Sequence, residues 1–131
     1  MKYFSFIYLG LFFLIISVLS FFNILYSYYF NLYLSLNSYI FSFFISLFLG
    51  FIFLFKKKES LKISIYQKIL TVLIGYLVLP IIISFPYYLS IYNISFLDSY
   101  FEAISGFTST GFSIFENIKH IDQSLILWRS S

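Results

Sequence analysis

The chain has 131 residues, of which 61% are hydrophobic, 26% aromatic and only 10% charged, where an average soluble domain carries about 25% charged residues. A soluble domain of this length could not cover that much apolar surface, so the composition excludes one and predicts an all-α membrane protein. The formal net charge of +3 comes from lysines clustered beside apolar runs, which makes it a topology signal and not a nucleic-acid footprint.

The stretch from Tyr3 to Phe55 contains no charged residue, which is too long for one span of about 20 residues. Two helices and a turn fit it, forming an N-terminal transmembrane pair over residues 1–55. The first is predicted from Tyr3 to Phe22. Asn23, Asn31 and Asn37 mark the connection, and Tyr26, Tyr28, Tyr29 and Tyr33 suit a membrane–water interface. The second is predicted from Ser38 to Phe55. A cleaved signal peptide is the rival reading of the first segment, but the apolar run exceeds the usual h-region of about 7–15 residues and no A-x-A site follows it.

A basic loop over 56–68 follows, with Lys56, Lys57, Lys58, Lys62 and Lys68. The positive-inside rule places it, and the N-terminus two helices earlier, in the cytoplasm. A role in binding lipid headgroups is the less economical reading. A third helix is predicted over 69–88. Pro80 lacks the donor that closes its turn, so a kink is expected there. Pro86, beside Tyr87 and Tyr88, marks its outer end.

Beyond it the chain changes character. Ser95 and Asp98 have capping-box spacing and open a short helix over 96–107. Asp98 and Glu102 lie near its positive end, where each carboxylate is stabilised by about 0.3–1 kcal/mol. As an i,i+4 pair they repel by roughly 0.2–0.5 kcal/mol. The favoured role of Asp98 is capping, and that of Glu102 is bracing the following loop from a buried position. A divalent metal held by the two would need further oxygen ligands that the local sequence lacks.

Thr108, Ser109, Thr110, Gly111 and Phe112 follow at once. Irregular backbone at membrane depth survives only where protein buries it or water lines it. The helix points its negative dipole end at this loop, which favours a cation. The carbonyls of Thr108, Ser109, Thr110 and Gly111 are suited to replace an ion's water, with Gly111 free to adopt angles closed to other residues. Phe112 is expected to pack outward.

Glu116, Lys119, His120 and Asp122 then form a polar stretch read as exposed, in which His120 is merely solvated. Residues 125–131 read as the start of another helix, with Trp128 and Arg129 as interfacial anchors. The chain therefore reads as an N-terminal fragment. No nucleophile–base pairing, phosphate loop or cofactor fingerprint occurs in it, so neither enzymatic activity nor a cofactor is expected. Without cysteine there is neither a disulfide nor a thiolate metal site.

Phe101-Glu-Ala-Ile-Ser-Gly-Phe-Thr-Ser-Thr-Gly111, followed by Ile121-Asp122 and Leu127-Trp-Arg-Ser130, resembles the first pore loop of the Trk/Ktr/HKT superfamily of potassium and sodium transporters. Ser84-Phe-Pro-Tyr-Tyr-Leu89 and Ser95-Phe-Leu-Asp98 are similar to the outer end of that family's first pore-domain helix. The extra helix pair at the N-terminus matches the TrkH type in arrangement. The resemblance implies an incomplete first helix–pore loop–helix repeat over 69–131, one of four repeats around one ion path. It further implies a potassium ion, as transported substrate, held at Thr108, Ser109, Thr110 and Gly111, with Asp98 and Glu102 as filter support.

The partners implied are the lipid bilayer, the other three pore repeats, a second copy in a homodimer, and a cytosolic nucleotide-binding regulatory ring. The location implied is the plasma membrane, the inner one in a bacterium, with the loop entered from outside. The competing class of function is a small accessory or structural membrane protein with no ion path.

Overall fold

The computed structural model describes residues 6–55, 64–115 and 121–131. Lys2, Lys56, Lys57, Lys58 and Lys62 of the basic segments, and Glu116, Lys119 and His120, lie outside the described residues. Those described form five helices and no strand. They are α1 (Phe6–Tyr29), α2 (Leu36–Phe55), α3 (Ile65–Tyr88), α4 (Phe96–Phe107) and α5 (Gln123–Ser130). Three of them, with spans of 23, 20 and 24 residues, are long and apolar enough to cross a membrane, and the protein is a multi-pass membrane protein.

Helix α1 runs seven residues beyond the Phe22 end expected from the sequence and absorbs Asn23 into its interior. The Asn23 amide donates to the Leu19 carbonyl at 3.1 Å and the side chain is buried, so it turns inward where a connection residue would face water. The helix stops only at Asn31, whose φ of 58° is left-handed. The Leu32 amide bonds back to the Ser27 carbonyl at 2.8 Å and the Asn31 amide to that of Tyr28, which is a Schellman cap.

Helices α1 and α2 pack as an antiparallel pair, with Phe13 stacked on Phe53 and small polar residues buried along both helices. Ser17, Ser20, Asn23 and Ser27 on α1, and Ser38, Ser42 and Ser46 on α2, are all buried. Phe12, Phe22, Phe44 and Phe48 point away from the pair and are exposed. A water-soluble hairpin would reverse this arrangement. In lipid it is favourable, because small residues let helix backbones approach closely and tails receive the aromatic rings. At the far end of the pair Gly10 meets Gly50. A Cβ on Gly10 would stand 3.2 Å from the Gly50 carbonyl oxygen and 3.1 Å from Phe53 Cβ.

Helix α3 begins at Ile65, four residues ahead of the expected start, because Ser64 and Gln67 form a capping box in which the Ser64 amide donates to Gln67 Oε1 at 3.0 Å. It runs continuously through Pro80, and Pro86 lies inside it and buried, not at its end. Each proline leaves a carbonyl one turn earlier without its helical donor. Beside each such place a distant side chain donates to the next carbonyl along: Tyr100 Oη to Leu77 at 2.9 Å and Trp128 Nε1 to Ile83 at 3.0 Å.

Helix α4 doubles back along α3. Its start is beside the end of α3, where the rings of Phe96 and Tyr88 meet, and its last residue Phe107 contacts Tyr76. Twelve residues give about 18 Å of rise, so α4 ends about halfway along α3. Helix α5 starts back at the connections between α1 and α2 and between α3 and α4. The Ser35 hydroxyl donates to Asp122 Oδ2 at 3.2 Å, and the Asp122 amide donates to Tyr92 Oη at 2.8 Å. From there α5 enters the middle of the bundle, where Leu125 and Trp128 join Phe13, Ile16, Tyr39, Leu79, Tyr87 and Ala103 in one core.

Candidate functional site

Helix α4 is set at its N-terminus by Ser95, whose hydroxyl oxygen accepts the Asp98 amide at 3.2 Å and whose hydroxyl donates to Asp98 Oδ2 at 2.7 Å. Asp98 thus takes the cap's hydroxyl, not its backbone amide. It stays exposed, at the opposite end of α4 from Thr108 and about 15 Å away along the axis. Its reach to the loop is through the capped helix alone.

Glu102, one turn further on, faces the other way and is fully buried. Its carboxylate accepts from the Ser113 hydroxyl at 3.0 and 3.2 Å, from the Ile114 amide at 3.0 Å, and pairs with Arg129 Nε at 3.1 Å. Both oxygens are engaged by protein donors, on a side of α4 away from the exposed Asp98. Among the described residues no group of three or more His, Cys, Asp or Glu side chains converges on one point.

The C-terminus of α4 closes in the same way as that of α1. The Thr110 amide bonds to the Ser105 carbonyl at 3.1 Å and the Ser109 amide to the Gly106 carbonyl at 3.0 Å. Ser109 holds the left-handed position with φ of 56°. Glycine usually occupies this place, because an L-residue pays about 1–2 kcal/mol there. Two residues later Gly111 has φ of 80°, again a conformation that a side chain disfavours. The chain therefore turns twice within 108–112.

Serine and threonine hydroxyls hold the turned loop against the helix end. Thr108 Oγ1 donates to the Ile104 carbonyl at 2.7 Å. Ser105 donates to the Phe112 carbonyl, and Thr110 Oγ1 lies 3.2 Å from Ser105 Oγ. Arg129 adds a second tether, its Nη2 donating to the carbonyls of Phe112 at 3.0 Å and Gly111 at 3.3 Å. The carbonyls of Thr108, Ser109 and Thr110 accept no hydrogen bond among the described residues. Residues 108–112 are exposed, Phe112 to 69%. Unengaged carbonyl oxygens at the negative end of a helix form an electron-rich patch that attracts a cation.

The loop and Glu102 are thus in one place, while Asp98 is not beside them. Three contributors escaped sequence reasoning. Arg129, taken as an interfacial anchor, is inside the site. It is the sole arginine of the chain, and a carboxylate buried at membrane depth needs a partner, which is the signal that could have found it. Trp128, also taken as an anchor, is buried at 4% exposure, because its indole N–H reaches α3. Asp122, taken as exposed, is half-buried and caps α5 through the Ser124 amide at 3.1 Å.

No known protein-family profile matches the chain, and no solved structure matches it. Over 104 residues, 79% of its length, the chain is 30% identical to a protein of Methanocaldococcus jannaschii described as an uncharacterized cation transporter. The chain spans 22% of that relative's length.

Proposed function

We propose that this chain contributes to the movement of a monovalent cation across a membrane, and that Thr108–Gly111 is one of four segments surrounding the ion. The observation that carries the reading is the geometry of α4. A short helix returns halfway along a membrane-crossing helix and ends in a twice-turned loop whose carbonyls at 108–110 accept no bond among the described residues. Free carbonyls at mid-membrane depth are costly unless an ion or water meets them. The similarity to a protein described as a cation transporter supports the same reading.

Within it, the resemblance of Phe101–Gly111 to the Trk/Ktr/HKT pore loop favours potassium as the ion and the TrkH type as the arrangement. The other three segments would come from further repeats of the full-length protein. The lysine loop at 56–68 would be cytoplasmic, and the ion would enter at the end where α1 joins α2 and α3 joins α4.

The test is growth. The full-length protein, produced in a bacterial strain without potassium uptake, is expected to restore growth at low potassium. The Gly111→Ser variant is expected to grow but to lose preference for potassium over sodium, because a side chain at positive φ reorients the loop. Confirmed membrane expression without rescue would refute potassium uptake and favour the accessory class of function. Unchanged ion preference in Gly111→Ser would refute the assignment of the loop.

A further inference from the structure

We propose that Arg129 and Glu102 form a charge-neutral clamp that positions the 108–114 loop, and that the neutrality of the pair sets how strongly the loop attracts a cation. This rests on the cation-path reading above. Arg129 holds one strand of the loop by two carbonyls, Gly111 and Phe112, and Glu102 holds the next by the Ser113 hydroxyl and the Ile114 amide. The two side chains meet at 3.1 Å, with the carboxylate fully buried and the arginine 17% exposed. The clamp therefore spans the point where the chain leaves the electron-rich carbonyls and turns back.

An arginine is a hazard in this position. Its guanidinium donates to the Gly111 carbonyl, next to the three carbonyls that no donor among the described residues satisfies, and an uncompensated positive charge there repels a cation. Glu102 supplies the compensation at contact distance, so the pair adds rigidity without net charge. The geometry also demands arginine. Nε faces the carboxylate while Nη2 faces the carbonyls, a division between two sides of a planar fork that the point charge of a lysine cannot reproduce.

Each substitution has its own signature. Glu102→Gln leaves the arginine charge unbalanced beside the ion, and the apparent KM for the cation rises roughly tenfold or more, as one uncompensated nearby charge should cause. The double variant Glu102→Gln with Arg129→Gln removes both charges. Its KM returns toward that of the wild type, while discrimination between potassium and sodium stays low because the clamp is gone. Arg129→Lys keeps the charge balance but not the fork, so discrimination falls while KM rises less than in Glu102→Gln.

The experiment pairs cation uptake by the full-length protein in proteoliposomes with hydrogen–deuterium exchange across residues 108–115, using the α1–α2 amides as a folding control. The clamp predicts faster exchange in the loop of Arg129→Gln with the α1–α2 amides unchanged, and recovery of KM in the double variant. Loop exchange equal to that of the wild type overturns the clamp. A double variant no better than Glu102→Gln overturns the charge-balance part and leaves only a structural pair. A wild-type protein that takes up no cation removes the transport reading, and loop exchange then decides the clamp by itself.

Discussion

Ser109 carries the loop's most expensive backbone angle. Its φ of 56° ends α4 in a cap where glycine is the usual residue. Ser109→Gly should relieve that strain and stabilise the folded protein by about 1 kcal/mol, seen as a higher midpoint of thermal unfolding in detergent. A lower midpoint would mean that the serine side chain contributes more than the angle costs. The polar loop, its glycine and the cap at Ser95 were legible in the sequence because each is a local pattern. The left-handed Ser109 was not, because nothing in Thr-Ser-Thr-Gly says which of four residues will close the helix. Arg129 was not legible as a tether because its partners are brought to it only by the return of α5 into the bundle.

At the scale of the elements, the N-terminal pair depends on a close approach of backbones. Gly10 has Phe53 Cβ and the Gly50 carbonyl within 3.2 Å of where its Cβ would be, and neither is the far end of a flexible side chain. Gly10→Ile should therefore push α1 from α2 and cost about 1–3 kcal/mol, whereas Phe44→Ala on the outward face, 62% exposed, should change stability by less than about 0.5 kcal/mol. Unfolding monitored by tyrosine fluorescence in matched micelles measures both. Equal effects would contradict a packing seam along the glycines and serines. The existence of the three long helices followed from the uncharged runs alone. Their ends did not, because helices in this chain end by caps, at Asn31 and Ser64, and not where the polarity changes. Tyr-rich 26–29 is equally at home in an interface and in a last helical turn.

For the whole molecule, the organising contact is the entry of α5. A helix of eight residues with capping bonds to two connections and a buried tryptophan joins the N-terminal pair to the α3–α4 hairpin. Side chains from α1, α2, α3 and α4 meet around Leu125 and Trp128. The N-terminal pair is thus tied into the same core as the loop-bearing hairpin. A cleft of about 350 Å³ remains among these helices, lined by Phe12, Leu79, Phe107, Ser109 and Arg129. Sequence reasoning reached the order of the elements but not this convergence, since Trp128 and Asp122 have ordinary surface readings until the bundle surrounds them.

The 108–111 loop, on the reading proposed above, lines a cation path. The 131 residues contain no cysteine, so a thiol placed in this segment is unique within it. Thr110→Cys in the full-length protein, otherwise free of cysteine, should be modified by a small positively charged thiosulfonate reagent added to proteoliposomes, and modification should stop potassium uptake. Phe44→Cys, on the outward face of α2, should be untouched by the same reagent. Complete modification of Thr110→Cys with undiminished uptake would mean that the loop lies outside the ion path.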